Sequence, residues 1–86
     1  MKHTDAINVL KKVLAIPKVR SVTLEIAENG HAEITIFDVG DELEKTLDDE
    51  FSMELENIPH RSHGTCTYTT FYYEGIAISV FFKEGG

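Results

Sequence analysis

Val22-Thr23-Leu24-Glu25-Ile26-Ala27-Glu28-Asn29-Gly30-His31-Ala32-Glu33-Ile34-Thr35-Ile36 is the stretch from which the fold of this chain is read. Apolar and polar residues alternate on both sides of Asn29-Gly30, the period of a half-buried β-hairpin. The loop length follows from the same pattern. A two-residue Asn-Gly loop would set Leu24 opposite Thr35 and mix the two faces, because a one-residue slip turns every side chain over. A three-residue loop, Glu28 to Gly30, pairs Ile26 with Ala32, Leu24 with Ile34 and Val22 with Ile36. Gly30 is then expected at positive φ as a G1 bulge.

A second hairpin lies near the C-terminus, where a two-residue Glu74-Gly75 loop pairs Tyr73 with Ile76, Phe71 with Ile78, Thr69 with Val80 and Thr67 with Phe82. Its reverse face carries Cys66, Tyr68, Thr70 and Tyr72 opposite Lys83, Phe81, Ser79 and Ala77. That is more aromatic than a solvated face requires. Either another layer covers it, or Tyr68, Tyr72 and Phe81 form an interface with a second copy or another partner.

Two helices are expected beside the hairpins. Thr4 or Asp5 caps the first, whose apolar positions Ile7, Leu10, Val13 and Leu14, widened by Ala6, Val9 and Ile16, recur at three and four residues until Pro17. The second begins at Asp41 as N-cap with Glu44 three residues on, a capping-box-like start, and carries Leu43, Leu47 and Phe51 at steps of four. Beyond Phe51 two readings compete. Leu55 and Ile58 extend the helical stripe but bring Glu54 into the apolar arc; alternatively Phe51, Met53 and Leu55 alternate as a short strand. Residue propensities favour the helix. Ile58 to Gly64 reads as a loop. The expected architecture is therefore a single α+β domain over residues 1–86, a two-layer sandwich of order α-β-β-α-β-β. Its four-stranded antiparallel sheet consists of two hairpins, with both helices on one face and the strand order undetermined.

Composition narrows the function classes. The 86 residues carry a formal charge of −7, and all of it resides in Asp41 to Glu56, where eight acids face a single Lys45. The rest of the chain balances seven acids against seven Lys or Arg. Direct nucleic-acid binding is not expected from such a balance. Apolar runs are too short for a membrane span, the N-terminus has no signal-peptide character, and one cysteine cannot make an internal disulfide, so a cytoplasmic protein is expected.

Several constellations could carry chemistry. His60, His63 and Cys66 fall three apart and are zinc-compatible types, but the paired Cys-x-x-Cys that makes such readings specific is absent, and no metal is assigned. Asp48-Asp49-Glu50 offers hard oxygen ligands without the glycine and alternate spacing of an EF-hand. Cys66 with a histidine could form a thiol nucleophile, but no oxyanion loop accompanies it, so no catalytic residue and no cofactor are expected. Gly85-Gly86 at the end of the chain is the kind of tail that ubiquitin-like carriers present for adenylation, and such a carrier is the first alternative function. A small structural module or homodimer is the second.

The leading expectation is a non-enzymatic acidic binding protein. Its segment 41–56 presents carboxylates, chiefly Glu42, Asp48, Asp49 and Glu56, to a basic surface of a macromolecular partner, and a nucleic-acid-mimicking inhibitor of a nucleic-acid enzyme is the form of this expectation that its charge suggests. Reversing Asp48, Asp49 and Glu56 to Lys is expected to abolish binding with the fold intact.

Overall fold

A computed structural model describes residues 3–83. The first hairpin forms in the expected register: β1 (Ser21–Ile26) and β2 (Ala32–Val39) pair antiparallel with Val22 opposite Ile36, Leu24 opposite Ile34 and Ile26 opposite Ala32. Gly30 sits at φ +86° and donates its N–H to the Ala27 carbonyl, while the Ala27 N–H bonds to the His31 carbonyl at 2.8 Å. The bulge removes the one-residue conflict that a tighter loop would create. The second hairpin joins Cys66–Tyr73 to Ile76–Phe82 with Phe71 opposite Ile78 and Tyr68 opposite Phe81, as expected. Glu74 and Gly75 both have positive φ, the requirement of a type I′ turn.

The sheet differs from expectation in number and direction. It has five strands, in the order β1-β2-β5-β4-β3, where β3 is Arg61–His63, β4 is Cys66–Tyr73 and β5 is Ile76–Phe82. The expected loop before Cys66 thus contains a short strand, which pairs antiparallel with β4 through a two-residue turn at Gly64-Thr65. β5 enters the centre and runs parallel to β2, so the sheet is mixed and not a pair of antiparallel hairpins. Its own sequence accounts for that position. Ile76, Ile78 and Val80 face the core while Ser79 is also buried on the reverse face, the two-sided burial of a central strand. Asp38, at φ +59°, is the extra residue of a bulge in β2 where the pairing with β5 shifts between Ile36 and Val39.

Both helices pack on one face of this sheet around a single core. Helix α1 (His3–Leu14) starts before Thr4, so neither Thr4 nor Asp5 is its cap. Its buried stripe is Ala6, Val9, Val13 and, just beyond, Ile16, whereas Ile7 and Leu14 are 44% and 57% exposed. Helix α2 (Asp41–Phe51) buries Leu43, Leu47 and Phe51 as expected. Its N-cap is Gly40 and not Asp41, and no side chain caps it, so the capping box does not form. Three acids in its first turn still complement the positive end of the helix dipole.

Neither reading of residues 52–58 holds. Ser52 takes the left-handed conformation, the Met53 N–H returns to the Asp48 carbonyl, and a single 3₁₀ turn, Leu55–Asn57, follows. Continuing the helix would have placed Glu54 in the apolar arc. The turn instead buries Leu55 completely and leaves Glu54 and Glu56 in solvent.

Candidate functional site

Helix periodicity divides the acids of α2 between two edges of its buried stripe. Along one edge lie Glu42 and Glu50. Lys18 bonds to the Glu42 carboxylate, and Lys12 approaches Glu50 at 3.4 Å while its ammonium lies 5.6 Å from the Phe51 ring centre and 5.5 Å from that of Tyr73. Each acid of this edge thus has a lysine of its own chain beside it, and Glu42, exposed as expected, is paired with Lys18.

Along the opposite edge lie Asp41, Glu44 and Asp48, one turn apart, joined by Glu56 from the 3₁₀ turn. Partial burial raises the pKa of Glu44 above the usual carboxylate range, and the negative charges of Asp48, Asp41 and Glu56 raise it further; His60 acts weakly against them. Like charges thus crowd one another here. Beyond the last turn of α2, Asp48, Asp49, Glu54 and Glu56 surround a shallow concavity with Ser52 and Met53. No basic residue occupies that last turn, although the negative end of a helix dipole favours one.

Of the four residues expected to touch a partner, the structure brings Asp48, Asp49 and Glu56 together and separates Glu42 from them. Asp48 has a second task, because its carboxylate accepts the Leu55 N–H at 2.8 Å and so ties the 3₁₀ turn to the helix. Glu44 was not expected in the group. Its spacing, three after Asp41 and four before Asp48, was the available signal.

Among the described residues, no helix covers the reverse face of the sheet. Tyr68 stacks on Phe81 at 4.9 Å between ring centres, Phe81 stacks on Phe37 at 5.4 Å, and His63 meets Phe81 edge-on. Phe37, Tyr68 and Phe81 are half-buried by this stacking, while His63 is exposed and Tyr72 remains 72% exposed. Beside the row, buried Ser79 donates to Glu33 at 2.8 Å and exchanges a hydrogen bond with Thr70 at 2.9 Å. The aromatic face is therefore covered by its own stacking and by nothing else among the described residues.

The histidines separate. His60 packs edge-on against Phe82 and bonds the Leu55 carbonyl on the helix side, whereas His63 lies against Phe81 on the open side. Among the described residues no group of three or more His, Cys, Asp or Glu is placed to hold a metal. Cys66 is a free, half-buried thiol. Gly85-Gly86 falls outside the described residues. No described helix is long and apolar enough to cross a membrane. No family model, no curated protein and no solved structure matches this chain.

Proposed function

We propose that the protein is a non-enzymatic binding module whose α2 edge, Asp41, Glu44, Asp48 and Glu56 with neighbouring Asp49, docks on a basic surface of a macromolecular partner. The observation that carries this reading is the asymmetry between the two edges of α2. One is paired with Lys12 and Lys18, while the other gathers Asp41, Asp48 and Glu56 around a partly buried Glu44, whose pKa is raised first by that burial and then by their charges. Among the described residues Asp41, Glu44, Asp48 and Glu56 make no ion pair, although Lys83 lies beside Asp41 and Glu44, and an incoming cationic surface relieves their mutual repulsion on binding. A row of carboxylates on a rigid helix competes for the same Lys and Arg groups that bind a phosphate backbone, so a nucleic-acid enzyme is a partner of the right chemistry. Such a complex forms fast at low salt and weakens steeply as salt rises.

The test uses isosteric neutral variants and leaves Asp48 in place, since its carboxylate holds the 3₁₀ turn. Asp41→Asn, Glu44→Gln, Asp49→Asn and Glu56→Gln combined should lose the proteins that the wild type captures from lysate. Glu42→Gln with Glu50→Gln should retain them. Equal capture by all three proteins rejects the proposal.

A further inference from the structure

The two edges of the sheet are built differently. At the β3 edge the strand has only three residues, Arg61–His63, all polar and exposed, which is a usual way of discouraging further pairing. At the β1 edge, Ser21–Ile26 is six residues long and contains no proline, no lysine and no bulge. Its backbone direction is fixed by the turn. Because Ala27 hydrogen-bonds to His31, the antiparallel alternation points the N–H and C=O groups of Glu25 and Thr23 toward β2 and those of Val22, Leu24 and Ile26 out of the sheet.

Helix α1 packs over β1 and β2 and leaves two large apolar residues exposed. Lys12 marks the flank of α1 that faces α2, through Glu50, and Ile7 and Leu14 lie on the other flank, toward β1. Ile7, Leu14 and Ile26 are the exposed large aliphatic residues of the described chain, and Ile26 lies on the β1 edge itself.

We infer that the β1 edge is a homodimer interface, in which β1 pairs antiparallel with β1 of a second copy across a two-fold axis at Leu24. An isologous contact must complement itself, and this strand does so in one register. With Leu24 opposite its counterpart, Val22 meets Ile26 of the other copy, the outward backbone groups of all three residues are paired, and Arg20, just before the strand, comes near the turn that carries Glu28 of the other copy. Arg20 and Glu28 are exposed, and among the described residues neither has an ion-pair partner within its own chain. Shifting the axis to Thr23 sets Arg20 against Ile26, and shifting it to Glu25 sets that carboxylate against its own copy. The Leu24 axis alone matches apolar with apolar and cation with anion. The product is one continuous ten-stranded sheet, the arrangement by which extended segments add to an open edge.

Four measurements test it. Sedimentation equilibrium should give twice the monomer mass of 9.7 kDa at ~100 µM, a protein concentration in the range where unprotected edges associate. Ile26→Lys should raise the dimer dissociation constant tenfold or more with an unchanged far-UV spectrum, whereas Tyr72→Lys, on the open face, should leave it unchanged. Arg20→Glu and Glu28→Arg should each weaken the dimer, and the double exchange should restore it, which no merely structural role of either residue predicts. Hydrogen exchange should show Leu24 protected as strongly as Thr23 in the dimer and far less in the Ile26→Lys monomer. A wild type that is monomeric at that concentration overturns the inference. So does a dimer that Tyr72→Lys dissolves and Ile26→Lys does not, or a double exchange that fails to recover association.

Discussion

Replacing Asp48 separates its two tasks. Its carboxylate accepts the N–H of buried Leu55 at 2.8 Å, and a hydrogen bond to a charged acceptor contributes about 1.5–3 kcal/mol. Against this, Asp48 repels Glu44 one turn earlier, at about 0.2–0.5 kcal/mol for such a helical pair. It also lies near the negative end of the helix dipole, at a cost of about 0.3–1 kcal/mol. Asp48→Ala loses the bond and gains the relief, leaving a net destabilisation of about 1–2 kcal/mol. At about 4–8 °C per kcal/mol for a domain of this size, the melting temperature should fall by about 5–15 °C. Asp48→Asn keeps an acceptor oxygen and removes the charge, so it should melt within a few degrees of wild type. Thermal denaturation by circular dichroism at neutral pH and moderate salt measures both. If the Ala and Asn variants melt together, the carboxylate does not hold the Leu55 turn. A lysine at this position removes the acceptor as well as the charge, so charge reversal at residue 48 perturbs the fold and any partner contact at once.

Glu44 should respond to pH with a defined sign. Its pKa is raised in the folded protein, so the folded state holds that proton more tightly than the unfolded one and stability declines as pH rises through the window above the unfolded value. Glu44→Gln should therefore be more stable than wild type at pH 7, and the difference should shrink on acidification to about pH 4, near the ordinary carboxylate pKa; a gap independent of pH contradicts the burial and the like charges assigned to Glu44. Glu74 occupies the first central position of a type I′ turn at φ +52°, where asparagine is favoured, so Glu74→Asn should stabilise by about 0.5–1 kcal/mol. Chemical denaturation that shows no gain argues against that turn geometry.

Both hairpin registers were legible in the sequence because each has one buried face, and a slip by one residue would have exposed Leu24 and Ile34 or Phe71 and Ile78. The parallel contact of β2 with β5 was not. Pairing between strands remote in sequence leaves no local pattern, and its trace was the burial of β5 on both faces, visible beforehand only as an excess of aromatics behind the second hairpin. Strand β3 escaped because Arg61, Ser62 and His63 are all polar and exposed and show no alternation; the Gly64-Thr65 turn before Cys66 was its one signal. The end of α2 was decided by an interaction that propensity does not encode, the Asp48 side chain reaching the Leu55 backbone. In the same way the acidic stretch was plain as composition, but which carboxylates Lys12 and Lys18 would reach depended on how α1 and its following loop pack beside α2.

The central place of β5 also orders the events of synthesis. Until Ile76–Phe82 emerges from the ribosome, β1 and β2 have no neighbour linking them to β3 and β4, and the two groups are tethered only through α2 and the turn after it. During that interval the inner border of β2 is as bare as the outer border of β1, and a nascent chain then exposes two sites for mispairing. The last strand described is thus the one that joins the halves, so substitutions that slow its insertion should lower the yield of soluble protein more than their effect on final stability would suggest.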